Sequence, residues 1–367
     1  WPDAVRPFRW NPLQIGRHIS PETQWRAFAD VFGGITQLGV KRQKQELLDS
    51  LRKLYLGHGV LIDDPDVRSD AQWGRVQAGD EANLTGANAG LPLGNLPTEQ
   101  RQKLAVYRSA GVGLADLYQT IKERLETVPP RDTMLTGVLE GILFRMNPLV
   151  QGAASKQFAP GKDTVPVEDM SKPWGITIIE GGMFLDEFGK AFLLGWTGWH
   201  LYMDMVARRV HEVRDEPLLQ IVYEEANKIF SKPEKNESGT DIAEQFGAQF
   251  RDGRKYGARF YVVSQAPSMI AQDIISSCTN ITIGFLKNPD DKDLVMSALA
   301  RSEKGFRDEE WRRFLDDIPI GMAIGRYPYT MDRRMQRPVL FRPLMLDVPE
   351  PSDADIEATL GGITLHD

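Results

Sequence analysis

Two adjacent acids follow a short apolar run. Leu218-Leu219-Gln220-Ile221-Val222-Tyr223 has the length and apolar character of a β-strand, and it runs straight into Glu224-Glu225-Ala226-Asn227. Carboxylates emerging from a buried strand have the layout of a Walker B site. One acid can hold Mg2+ through water while its neighbour orients or deprotonates the water that attacks a γ-phosphate. The next apolar run, Tyr261-Val262-Val263, ends in Ser264-Gln265, a neutral amide suited to sensing that phosphate. Between the two lies Arg251-Asp252-Gly253-Arg254-Lys255-Tyr256-Gly257. An arginine there could reach a nucleotide on a neighbouring subunit, because guanidinium matches phosphate geometry. The same string also reads as a basic helix C-terminus capped by Gly257.

The elements that must position these residues alternate. Gly175 to Glu180 and Leu218 to Tyr223 read as strands, as do Ala258 to Ser264 and Asn280 to Leu286. Helical segments near Asp186 to Val213, Asp241 to Tyr256 and Met269 to Cys278 separate them. Apolar runs separated by helices predict an α/β fold with a mostly parallel sheet covered on both faces, its chemistry at the carboxyl ends of the strands. Residues 1–170 differ. Trp25, Phe28, Ala29 and Phe32, then Leu47, Leu48, Leu51, Leu54 and Tyr55, recur at helical spacing. Further helices are expected around Leu104 to Leu125 and Met134 to Phe144, after a Gly-, Asn-, Asp- and Pro-rich stretch at 63–97 that reads as a long surface loop.

With 367 residues, 41% of them hydrophobic and 26% charged, the chain can bury a substantial core in two modules. The 44 basic and 51 acidic residues give a net charge of −7, which excludes a surface coated with charge for nucleic acid. The charge is split at the C-terminal end. Arg326, Arg333, Arg334, Arg337 and Arg342 form a basic cluster, and residues 347–367 form an acidic tail without lysine or arginine. Cys278 is the single cysteine, which excludes an intramolecular disulfide and points to a reducing compartment, the cytoplasm. The apolar stretch from Phe188 to Val206 carries Lys190, His200 and Asp204, so it reads as a buried helix and no membrane span is expected. His18, His58, His200, His211 and His366 lack metal-ligand spacing, and His200 reads as a hydrogen-bonded core residue. Trp196, Trp199 and Tyr202 read as packing.

The ordered series PFRWNPLQIG, WGITIIEGG, IVYEEANKIF, FRDGRKYGARFYVVSQAP and ISSCTNITIGFLKNPDD resembles the HerA/FtsK superfamily, which includes conjugation and type IV secretion ATPases. The resemblance implies a RecA-like core at 171–346, flanked by an all-helical insertion at 1–170 and the acidic tail at 347–367. It implies ATP and Mg2+ as cofactors. Glu224 matches the magnesium-side acid and Glu225 the catalytic glutamate, with Ser264 and Gln265 beside the nucleotide, Gln265 as the polar sensor. Arg254 matches the arginine of the family's G-R-K-x-G element, a finger acting on the next subunit. A homo-oligomeric, hexameric ring that moves DNA is implied, or one that moves protein for membrane-associated secretion or conjugation machinery; a catalytically silent ring subunit is the remaining alternative. The family's phosphate-cradling loop, G-x-x-x-x-G-K-[ST], is missing from residues 1–367. Gly161-Lys162-Asp163-Thr164 is its nearest string, and it reads as a surface turn. The sequence opens at Trp1 and not at methionine, and the phosphate loop is expected to precede it.

Overall fold

The computed structural model describes residues 9–36, 38, 41–60, 75–77, 90–161, 164–172, 175–179, 185–211, 219–232, 242–300, 313, 315–328, 338–343, 352 and 354–355. Two compact units divide the chain. The first comprises Trp1–Ile221, Lys235–Ile242 and Asp252–Arg259, and the second Val222–Glu234, Ala243–Arg251 and Phe260–Asp367.

The first unit is built from α1 (Pro21–Ile35), α2 (Lys41–Gly57), α3 (Thr98–Ser109), α4 (Leu114–Glu126), α5 (Thr133–Val150), α6 (Gly152–Gln157) and α7 (Glu187–His211). Local signals start them. Ser20 Oγ accepts from the Thr23 N–H at 3.2 Å, with Pro21 in the first turn of α1. Asp132 accepts from Leu135 N at 3.0 Å before α5. The single helix expected near 104–125 is two, because Gly111 and Gly113 break it and Asp116 restarts the chain by accepting from Gly113 N at 2.9 Å. α7 is the buried helix expected from the apolar stretch: Phe192 and Trp196 meet Phe28 of α1 edge to face. No described helix is long and apolar enough to cross a membrane.

Between these helices runs a buried segment without regular structure, Trp10 to Ile15. Polar backbone atoms shut away from water need partners, and several of these are met by side chains. Asn11, only 1% exposed, donates to Val112 O at 2.9 Å and accepts from Leu13 N at 3.1 Å. Trp196 Nε1 donates to Pro12 O at 2.9 Å and Tyr55 Oη to Leu13 O at 2.7 Å. The Ile15 N–H donates to Ser109 Oγ at 2.9 Å. Three helices, α2, α3 and α7, are thereby pinned to one strap of chain.

His200 lies beneath this strap, with Trp10, Trp196 and Trp199 edge to face around it and its Nε2 3.1 Å from Gln24 Nε2. It is the hydrogen-bonded core histidine that the sequence indicates. On the same helix Asp204 accepts from Ser171 Oγ at 3.0 Å and pairs with Arg208 at 2.7 Å. Burial raises its carboxyl above the usual range, and Arg208 and Ser171 offset part of that.

The sheets differ from the expected single parallel one. β1 (Leu219–Tyr223) and β2 (Ala258–Val262) form a two-stranded sheet. The Leu219 N–H bonds Gly257 O at 3.1 Å and the Val263 N–H bonds Tyr223 O at 2.9 Å, partners that advance together, so the pair is parallel. β3 (Ile281–Ile283) instead joins β4 (Ala323–Arg326) and β5 (Val339–Phe341) in an antiparallel sheet, with Ile283 opposite Ile324 and Gly325 opposite Val339. Residues 175–179 are not a strand: Ile176 and Ile178 are 90% and 80% exposed, and no described strand pairs with them. An unpaired extended segment gains no ladder hydrogen bonds. The second unit also holds α8 (Ile242–Asp252), α9 (Gln272–Ser277) and α10 (Pro289–Ala300); Val295, Met296 and Leu299 of α10 close a core with Ile283, Leu315, Ile318 and Ile324. Arg326 lies in β4 and Arg342 follows β5, whereas Arg333, Arg334 and Arg337 fall outside the described residues, as do Glu180 to Gly182 and most of 63–97 and 347–367.

Two measurements test the first unit. Asn11→Ala removes both partners from buried backbone groups and is expected to lower unfolding free energy by about 2–4 kcal/mol in denaturant titration. Burial pushes the folded His200 down to about 3 from 6.5, so only the unfolded chain takes up a proton as pH falls below the ordinary value. Its contribution is complete above about pH 6.5 and declines toward the folded value, by about 2 kcal/mol between about pH 7 and about pH 5. His200→Phe is expected to flatten that part of the stability curve, read by chemical denaturation at each pH.

Candidate functional site

An aromatic cluster sets the floor of the second unit. Tyr223, the last residue of β1, packs edge to face on Phe230 with centroids 5.0 Å apart, and Phe230 meets Phe246 and Phe250 at 5.3 and 5.5 Å. Phe250 stacks on Phe260 of β2 at 4.6 Å. Tyr223 is 3% exposed, and burial raises its hydroxyl well above the ordinary range. Anchored side chains here fix where both strands stop.

The two carboxylates follow at once. Glu224 and Glu225 are both exposed, and Glu225 has φ 50° and ψ 42°, the one non-glycine residue with positive φ among the described residues. A left-handed glutamate costs about 1–2 kcal/mol relative to ordinary backbone. Its carboxylate pairs with Lys228 Nζ at 2.5 Å, one turn on. Both partners are largely exposed, so the pair orients the acid more than it stabilises the fold.

The β2 end is stitched to the same place. The Ala226 N–H donates to Val263 O at 3.0 Å. Ser264 Oγ donates to Asn227 Oδ1 at 2.9 Å and accepts from Ala266 N at 3.1 Å. Ser264, expected beside the nucleotide, therefore spends its hydroxyl on holding two turns together. Gln265, directly after it, is exposed. Glu224, Glu225, Ser264 and Gln265 are thus brought to one end of the β1–β2 pair. Lys228 and Asn227 escaped the sequence reading, although Asn227 stands within the quoted E-E-A-N string.

Arg254 is not among the residues gathered there; it belongs to the first unit. It is exposed in the 3-10 turn Gly253–Tyr256, whose end is the left-handed Gly257, φ 80°, with its N–H bonded to Arg254 O at 3.3 Å. The glycine cap read from the sequence is present. Lys255 pairs with Asp252 at 2.6 Å, and Tyr256 meets Tyr202 of α7 edge to face at 6.1 Å. Partial burial, then Tyr256 and Asp252, push the Tyr202 hydroxyl up to about 12.

Mg2+ fits the acid pair only in company. Among the described residues no group of three or more His, Cys, Asp or Glu side chains is placed to hold a metal. Two exposed glutamates can hold Mg2+ through water when phosphate oxygens complete its shell. Thr164 donates its hydroxyl to Gly161 O at 2.7 Å and Gly161 is exposed, while Lys162 and Asp163 between them lie outside the described residues.

No protein-family model matches the chain. A stretch of 93 residues is 37% identical to the DNA double-strand break repair helicase HerA of Pyrococcus furiosus. It covers 25% of this chain and 16% of that protein, so the chain spans about a sixth of the relative it matches. The fold is similar to VirB4 of Thermoanaerobacter pseudethanolicus, with a TM-score of 0.52 and 12% identity over 92% of this chain and 74% of that one. The first bears out the resemblance to HerA/FtsK-type ATPases over those 93 residues, and the second shows a mixed α/β fold.

Backbone strain at Glu225 is testable apart from any activity. Glu225→Gly, which adopts positive φ freely, is expected to leave stability within about 1 kcal/mol of the unaltered protein or above it, and Glu225→Val to lose about 2 kcal/mol. Equal stability of the two variants in thermal melts would remove the strain argument.

Proposed function

Because the chain resembles HerA/FtsK-type ATPases in sequence and in fold, we propose that it carries the hydrolysis and coupling residues of an ATP-driven DNA translocase subunit working in a homo-oligomeric, hexameric ring. The observation that carries this reading is Glu225: an exposed acid, held in left-handed backbone at the end of a parallel strand, beside a second acid and stitched to the strand that ends in Gln265. A chain accepts such backbone when the position of a side chain matters more than its local energy.

In this reading Glu225 orients the attacking water and takes its proton, with Lys228 holding the carboxylate in place between turnovers. Glu224 holds Mg2+ through water, and the ion, when bound with ATP, neutralises developing phosphate charge. Gln265 hydrogen-bonds the γ-phosphate and loses that partner on hydrolysis. Arg254, exposed on its capped turn, reaches the nucleotide of the adjacent subunit. Phosphate binding needs a cradle of backbone amides and a lysine that residues 1–367 do not contain. In this reading that cradle is contributed from outside residues 1–367. A second reading, a motor that moves protein or nucleoprotein for secretion or conjugation, draws on the fold likeness to VirB4, which extends over far more of the chain than the likeness to HerA.

The test uses the full-length protein. Glu225→Gln is expected to lower ATP turnover by about a hundredfold or more while ATP still binds. Unchanged hydrolysis would sink the assignment. Stimulation of the unaltered protein by duplex DNA separates the first reading from the second, in which only a secretion partner stimulates.

A further inference from the structure

The Gln265 turn has a second anchor, on the far side from the acids. After Gln265 the chain makes the 3-10 turn Pro267–Met269, packed against the start of α10. The Ser268 N–H there donates to Asp291 Oδ1 at 2.7 Å, and Asp291, in the first turn of α10, is 3% exposed. The remaining bonds of this stretch return toward β1: Ser264 to Asn227, Lys232 N–H to Met269 O at 2.9 Å and Ala271 N–H to Phe230 O at 2.8 Å. Asp291 therefore supplies the link that leads away from the strand ends and into α10.

A buried carboxylate is costly unless it is hydrogen-bonded, and helix capping does not require this one. Asn288 already caps Asp290 N at 3.0 Å, and the exposed Asp290 places negative charge in the same first turn. The Asp291 carboxylate faces a backbone amide three residues past Gln265 instead. Farther along α10, Val295, Met296 and Leu299 are locked into the core with Leu315, Ile318 and Ile324, and the next residue, Lys292, pairs with Asp316. A shift of the Gln265 turn is thus transmitted to a helix that moves as part of a packed body.

We propose that Asp291 is a positioning residue for Gln265, fixing the sensor turn against α10 and passing its displacement into that helix and the antiparallel sheet beneath it. This role rests on the motor reading above.

Full-length unaltered protein, Asp291→Ala and Asp291→Asn are compared by steady-state ATP turnover and by amide hydrogen exchange. Asp291→Ala is expected to lose protection across residues 264–270 and to lower kcat by about ten- to a hundredfold with little change in KM for ATP. Asp291→Asn, whose side-chain oxygen still accepts from Ser268, is expected to recover protection and most turnover. If Asp291→Ala melts, the unaltered protein decides the matter: a non-hydrolysable ATP analogue is expected to alter exchange in 264–270 and 289–300 together. Normal kcat in Asp291→Ala, an Asp291→Asn as slow as Asp291→Ala with its protection intact, or a response confined to 264–270 overturns the role of Asp291 alone. Absence of turnover in the unaltered protein overturns the motor reading and this role with it.

Discussion

The first unit depends on a single obligation, that the backbone of a strap without helix or strand be hydrogen-bonded after it has been taken out of water. Residues 10–15 run through the middle of the helices, and an unpaired amide or carbonyl there costs about 1–3 kcal/mol. Asn11 meets the Leu13 amide, and Trp196, Tyr55 and Ser109 each meet another group. These last three come from three different helices, so the bonds that satisfy the strap also tie those helices to it. Phe28, Phe192 and Trp196 then fill the remaining volume.

At the acids the constraint is reversed. Tyr223 and Phe230 hold the end of β1 in an apolar cluster, and the next two residues must leave it as exposed charges. The chain manages this by bending at Glu225 itself instead of at a glycine, which keeps a carboxylate at the tightest point of the turn. Hydrogen bonds from Ala226 and Ser264 then tie this bend to the β2 end, so the acid pair and Gln265 are set by the same few contacts. A substitution at Asn227 or Ser264 would disturb both at once.

Much of this was legible from residue types. The strand before Glu224, the strand before Ser264 and the long helix containing His200 follow from apolar patterning, because each buries a face that the pattern marks. Gly257 announced its own cap. The failures have identifiable causes. Residues 175–179 have strand-like composition, but a strand exists only with a partner, and pairing is not a local property. The two short strands around Gly325 sit in arginine-rich sequence that reads as a solvated loop, and their register depends on β3 far earlier in the chain. Sequence also cannot show that the Ser264 hydroxyl donates to Asn227 at 2.9 Å, a contact between two turns that only the fold brings together. Burial sets Asp291 apart from the exposed Asp290, a difference that residue type does not show.

Tyr256 against Tyr202 has a mechanical meaning. The turn that bears Arg254 is fastened to α7, and α7 is fastened through Trp196 and His200 to the strap that organises the helices. Arg254 is therefore held on a turn anchored within the first unit, whereas Glu225 and Gln265 belong to the second.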